Sequence, residues 1–302
     1  MTPTVLILGA TGRFGRNAAH AFRQAGWTVR TFDRAKDTLA KAAQGADVIV
    51  NAWNPPYPEW AKRVPALTDD VIRAAKQTGA TVIVPGNVYV FGADTPGPWY
   101  ETTPHQAQNP LGRIRIEMET AYRRSGVRTI MLRAGDFIDI RPSGNWFDQF
   151  MTNKLDRGLF TYPGNPDIDH AWAFLPDLCR AAVLLAEMGD DLPVYADVTF
   201  PGMTISGNDM ARALARLTGK PVKLKKMSWL PLIIARPFWK MATHLLEMRY
   251  LWDTAHRLDG TGFARLLPDF RATPVDEALA LAIPQPLVRS QINPNQPVPT
   301  GS

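Results

Sequence analysis

The sequence predicts a doubly wound α/β fold: a parallel sheet covered by helices on both faces, followed by a smaller, mostly helical C-terminal part that binds substrate. Three observations carry this expectation. The apolar run 4–8 breaks into glycines at 9, 12 and 15 and then enters helix-forming sequence over 16–22. Strand-like runs recur at 27–33, 46–52, 81–84 and 127–133, with helical stretches between them, and strands alternating with helices require right-handed crossovers and hence a parallel sheet. The runs 4–8 and 46–52 are also near-continuously apolar rather than alternating, as strands buried on both faces are.

The first unit is the most informative. In Gly9-Ala10-Thr11-Gly12-Arg13-Phe14-Gly15, Gly9 suits the tight turn, Gly12 the close approach of a pyrophosphate, and Gly15 the packing of helix against strand. The helix N-terminus then offers free N–H groups to phosphates. Gly9, Thr11, Gly12, Arg13, Phe14 and Gly15 are therefore candidate contacts to a dinucleotide. The second strand ends in Asp33, about where such units place the carboxylate that binds the adenosine ribose. Arg34 follows it, and Arg34 or Arg13 could instead pair with a 2′-phosphate, so NAD and NADP both remain open, with a slight lean to NADP. The third strand runs to Ala52 and Trp53, two further cofactor candidates, and opens an aromatic loop over 53–60 at the carboxyl edge of the sheet, where ligands bind in open α/β folds. After a helix over 64–78, the fourth strand leads into Pro85–Gly92. There, alternation in an extended strand would put Asn87 and Tyr89 on one face.

Composition narrows the classes. With 302 residues, 45% hydrophobic and 21% charged, the chain has the make-up of a soluble globular protein of one or two domains. A net charge of +6 on 34 basic and 28 acidic residues, without a long basic run, argues against a nucleic-acid partner. The single cysteine, Cys179, forms no intramolecular disulfide and reads as a buried small hydrophobe. A core strand close to residue 1 leaves no room for a signal peptide, and no apolar run reaches the roughly 18 residues of a spanning helix. The expected location is the cytoplasm, with no integral membrane segment. The five histidines are scattered, and no metal site is expected from their spacing.

With the glycine motif, Val88–Gly92, 109–119, 133–138, 170–177, 202–221 and 267–270, the chain resembles the short-chain dehydrogenases/reductases over nearly its whole length. Within them it is similar to the extended and atypical members related to nucleotide-sugar epimerases and dehydratases. The resemblance implies a Rossmann fold, an NAD(P) cofactor and a small carbonyl or sugar-type substrate. Members with the usual mechanism carry a Tyr proton donor and a Lys four residues on at the start of one helix, with a Ser or Thr after the fourth strand. The matching positions here are Leu111, Arg115 and Asn87. Leucine carries no proton. Arg115 can hold the cofactor ribose but is no base, and Asn87 can donate to a carbonyl oxygen. Tyr89 is the residue expected to supply the acid, with Tyr100 and His105 in the next loop as weaker candidates.

By the same resemblance, 139–169 belongs to the substrate part, with Trp146, His170 and Trp172 as pocket candidates. The expected organisation is a dinucleotide-binding domain over 1–138 with 170–200 returning to the sheet, a substrate part over 139–169 and 201–283, and a Pro-rich, disordered tail over 284–302. A helix over 175–188 carries Asp177 near its start in a structural role, and a helix over 206–218 stops at Gly219. The aromatic, basic segment 229–256 reads as a cap over the substrate cleft, with a membrane surface or partner as the other reading. The function expected is an NAD(P)-dependent oxidoreductase or epimerase-like enzyme acting on a small molecule; the alternative is a dinucleotide-binding sensor or scaffold without catalysis. Any self-assembly is expected to be a homodimer.

Overall fold

Six parallel strands form the central sheet of the computed structural model, which describes residues 2–289. In chain order the elements of this half are β1 (Thr4–Leu8), α1 (Arg13–Gln24), β2 (Thr28–Thr31), α2 (Leu39–Ala42), β3 (Val48–Asn51), α3 (Trp60–Thr78), β4 (Thr81–Gly86), α4 (Pro110–Ser125) and β5 (Thr129–Arg133). Then follow β6 (Asp136–Ile138), β7 (Leu159–Tyr162), β8 (Ala171–Phe174), α5 (Leu175–Met188), β9 (Tyr195–Thr199), β10 (Met203–Thr204), α6 (Gly207–Thr218) and β11 (Lys223–Lys226). The chain continues through α7 (Leu230–Ala235), α8 (Lys240–Glu247), α9 (Thr261–Leu266) and α10 (Val275–Ala282).

The central sheet runs β2-β1-β3-β4-β5-β9. Its inner strands are apolar because both faces are covered, whereas the edge strand β2 has no buried residue. Val5, Ile7, Val48 and Val50 pack under α1 and α5 on one side, while Leu6, Leu8, Ile49, Val82 and Val84 pack under α3 and α4 on the other. The chain leaves β1 toward β2 and returns on the other side as β3, so the crevice between the ends of β1 and β3 is the topological switch point where such sheets bind ligands.

The substrate part is mostly helical, through α6 to α10, as expected, and it adds short strands that were not: β6, β8 and β10 form a three-stranded sheet and β7 pairs with β11, around a core of Phe147, Phe160, Trp172, Phe174 and Met210. These strands are two to four residues long, too short for periodicity to register. Consequently β8 joins the small sheet, and within 170–200 it is α5 and β9 that return to the central layer. Within the first residues of the expected tail, Gln285–Leu287 makes a 3₁₀ turn and the Arg289 amide donates to the Leu217 carbonyl at 2.8 Å. The rest of that tail lies outside the described residues. Cys179 is buried on α5. Asp177 accepts from the Thr273 amide at 2.6 Å and from Arg180 at 2.7 Å, so its role is structural.

Candidate active site

The glycine turn is built by steric necessity. Gly9 has φ +75°, and a Cβ there would meet the Ala52 carbonyl at 3.0 Å and the Trp53 ring at 3.2 Å. The turn of β1 is thus pressed against the end of β3. Gly15 is packed more tightly still: a Cβ would stand 2.2 Å from the Gly9 carbonyl oxygen. Gly12 has only that same oxygen near its Cβ position, at 3.2 Å. It caps α1 without a side-chain acceptor, leaving the first N–H groups of a twelve-residue helix open to an anion. Thr11, Gly12 and Arg13 are exposed there, whereas Phe14 is in the core. A pyrophosphate fits this cradle.

At the far end of the crevice the Asp33 carboxylate accepts from the Ala35 amide at 3.0 Å and lies 3.4 Å from the Lys36 ammonium. Those contacts, the amide first, hold its carboxyl below the usual range. Arg34 is exposed beside it. Arg13 does not join them; its guanidinium donates to the Gly144 carbonyl at 3.1 Å, in the substrate part. Trp53 meets Phe32 edge-on at 5.6 Å.

The reaction side is centred on two phenols. Tyr89, after β4, and Tyr57, in the aromatic loop after β3, share a hydrogen bond of 2.7 Å between their hydroxyls. Burial is the first cause that pushes both phenols up, and for Tyr89 the shift is large. The Arg115 guanidinium acts the other way and is outweighed, so it does not bring Tyr89 down toward a working pH. Asn87 and Tyr89 do not alternate along a strand, because β4 ends at Gly86 and a turn follows. The turn still joins them: Asn87 Oδ1 accepts from the Tyr89 amide at 3.1 Å, which fixes the amide flip and turns Nδ2 outward as a donor.

Arg115 comes from α4, buried, with its guanidinium 4.3 Å over the Trp60 ring and donating to Asn54 Oδ1 at 3.1 Å. Its Nε has no partner among the described residues. An unpaired buried donor beside the phenols fits a hydroxyl-bearing ligand such as a ribose. Leu111, one turn earlier, is fully buried in the core beneath α4. Its amide and the Asn109 side chain both donate to Glu247 of α8, at 2.7 and 2.8 Å. His244 on the same helix lies edge-on to Tyr57 at 6.3 Å, so α8 packs beside the phenol pair.

The substrate candidates form an aromatic wall. His170 hydrogen-bonds Asp136 at 2.8 Å, stacks on Trp252 at 4.4 Å and meets His256 at 4.4 Å. Asp136 is near enough to raise both phenols by its charge. Trp172 is enclosed in the core of the substrate part, its indole N–H unpartnered among the described residues. Trp146 is half-buried against Trp229 and Trp252. Tyr100 is exposed and His105 belongs elsewhere. His105 Nδ1 lies 3.6 Å from Glu119 and, with Asp197, forms a group whose ligand atoms lie within 4.8 Å of one another. The scatter of histidines in the sequence did not reveal that convergence, yet Arg133 already occupies both carboxylates, at 2.8 and 2.7 Å, and a cation would meet its charge.

Tyr57, Asn54, Asp136 and Glu247 were not among the sequence candidates. A signal existed for Tyr57 and Asn54, which lie in the aromatic loop at the carboxyl edge. None existed for Glu247, which reaches α4 from 136 residues away.

The fold, with its glycine turn after β1, is that of a Rossmann-type α/β protein. The chain belongs to the NAD dependent epimerase/dehydratase family, whose model matches residues 5–198. Among solved structures it is similar to UDP-glucose 4-epimerase from Brucella ovis in complex with NAD, at 18% identity and TM-score 0.74, covering 95% of this chain and 99% of that one. MoeE5 in complex with UDP-glucose and NAD is similar at 19% identity and TM-score 0.69, over 92% and 97%. TunA, an NAD dependent NDP-hexosamine 5,6-dehydratase involved in tunicamycin biosynthesis, is similar at 17% identity and TM-score 0.67, over 93% and 96%. At these identities the likeness is one of fold. No curated protein matches the sequence.

Proposed function

We propose that the chain is an NAD(P)-dependent oxidoreductase or epimerase/dehydratase-like enzyme acting on a small carbonyl or sugar-type substrate, with the Tyr57–Tyr89 pair supplying the acid that Leu111 cannot. The observation that carries this reading is the 2.7 Å hydrogen bond between the two phenols beside the free donor of Arg115. A bound nicotinamide supplies the hydride exchange. Asn87 Nδ2 donates to the substrate oxygen, and the Tyr57–Tyr89 pair, one phenol hydrogen-bonded to the other, donates to that oxygen and passes its proton. Burial raises both phenols, so they stay protonated as hydrogen-bond donors, and the Arg115 guanidinium is the charge that favours release of the Tyr89 proton. Arg115 holds the cofactor ribose through its unpaired N–H, with α8 packed beside the phenol pair. His170 positions the Asp136 carboxylate, and Trp146 is the wall residue with surface left to meet substrate.

The cofactor lean to NADP rests on Arg34 alone, since Arg13 is turned toward Gly144. Calorimetric titration with NAD(H) and NADP(H), followed by stopped-flow absorbance of the reduced nicotinamide with nucleotide sugars and simple aldehydes, tests the proposal. The buried Leu111 favours a second reading, a dinucleotide-binding sensor without catalysis. Tight cofactor binding with no redox turnover on any such substrate would select it.

A further inference from the structure

Five of the ten large apolar side chains exposed among the described residues fall between positions 230 and 239: Leu230, Ile233, Ile234, Phe238 and Trp239, with Phe238 at 92% exposure. They are not scattered. Leu230, Ile233 and Ile234 have the i, i+3, i+4 spacing that gathers side chains on one helical face, and on α7 that face is turned to water. The helix is held at its base by Trp229, whose buried indole N–H donates to the Pro163 carbonyl at 2.6 Å, while Leu232 packs inward on the substrate part. The outward stripe is therefore displayed by a fixed element.

The charge around it has one sign. Between Asp209 and Glu247 there is no acidic residue, while eight lysines and arginines occur. Arg212 and Arg216 are paired with Asp209 and Asp276. The remaining six, Lys220, Lys223, Lys225, Lys226, Arg236 and Lys240, are exposed. None of them makes an ion pair among the described residues. β11 brings three of these lysines directly to the base of α7, and Arg236 and Lys240 bracket Phe238 and Trp239. Aromatic and aliphatic side chains rimmed by unpaired cations match a bilayer boundary carrying anionic headgroups. A two-fold contact between copies would instead set this cationic rim against itself. No helix among the described residues is long and apolar enough to cross a membrane, so the segment would lie on the surface rather than span it.

We propose that 220–240 docks the protein onto an anionic lipid surface. The five apolar side chains enter the headgroup boundary and the lysines face the phosphates. The test is flotation of the full chain with vesicles of phosphatidylcholine alone and with roughly a third phosphatidylserine, at roughly 0.1 M and 0.5 M salt. Binding is expected to the anionic vesicles and to weaken with salt. The double variant Ile234→Ser with Phe238→Ser changes side chains already in water, so its circular dichroism should match the parent, and it should lose at least about tenfold in partitioning. Lys223→Gln with Lys225→Gln and Lys226→Gln should lose a similar factor and much of the salt dependence. Absence of binding to either vesicle, or undiminished binding by both variants, overturns the proposal. A dimer seen by light scattering and abolished by the Ile234/Phe238 variant would overturn it in favour of a contact between copies. Binding that appears only after truncation behind Arg289 would overturn it in favour of the chain's own last residues covering the stripe.

Discussion

The hydroxyl oxygens of Tyr57 and Tyr89 stand 2.7 Å apart, joining the loop after β3 to the turn after β4 at the carboxyl end of the sheet. If this pair supplies the proton, Tyr89→Phe lowers turnover by at least about tenfold, the low end of what losing a positioned acid costs. Cofactor affinity should be unchanged. Tyr57→Phe leaves Tyr89 without its partner and should lower turnover less. Full activity in Tyr89→Phe would remove the residue from the mechanism.

Two glycines of one turn should respond differently. Gly12→Val meets only a carbonyl at 3.2 Å and should fold normally while losing about tenfold or more in dinucleotide affinity, because the new side chain occupies the phosphate approach. Gly15→Ala drives its Cβ to 2.2 Å from the Gly9 oxygen and should lower stability by about 1–3 kcal/mol. Calorimetry with cofactor and urea unfolding separate the two effects.

Of the two arginines expected to meet a 2′-phosphate, Arg34 is the one left beside Asp33, where Lys36 also lies at 3.4 Å. Arg34→Ala should weaken NADP more than NAD, by about one to two decades, as expected for loss of a charge-assisted pair. A parent protein that already prefers NAD tenfold would show that Asp33 decides the choice.

Arg133 is almost wholly buried between Glu119 and Asp197, and those two carboxylates hold its guanidinium charged against the opposing effect of burial. Arg133→Met would strand two buried carboxylates and should cost about 3–5 kcal/mol by urea unfolding. Adding Glu119→Gln and Asp197→Asn to it should recover part of that loss, since the uncompensated charges are then gone.

His256 is buried against Trp99 and His170, and burial, with His170 as the next cause, lowers its pKa to about 3. An unfolded histidine titrates near about 6.5. Between those values the unfolded chain binds the extra proton, so stability is full above about pH 6.5 and falls as pH drops, by up to about 1.4 kcal/mol per unit. His105, lowered by burial, adds in the same direction. Urea unfolding at about pH 7.5 and about pH 5.5 should show the decline, and His256→Asn should flatten it.

The local order of the chain determined the dinucleotide-binding half: continuous apolar runs, helices between them and three glycines at fixed spacing constrain neighbours in sequence, and β1 through β5 follow from them. Leu175–Met188 and the Ser206 cap of α6 were legible for the same reason. The small strands of the substrate part were not, because strands of two to four residues carry no readable period and owe their form to pairing with distant partners such as β7 with β11. The site divides in the same way. Asn87 and Arg115 were singled out by the family pattern and Tyr89 by an alternation that the structure replaces with a turn after β4. Only the tertiary structure brought Tyr57 onto Tyr89, aimed Arg13 at Gly144, set Glu247 on the start of α4 and enclosed Trp172. Those contacts depend on where loops fall once the core is packed, and nothing in the residues adjacent to each partner encodes the distance between them.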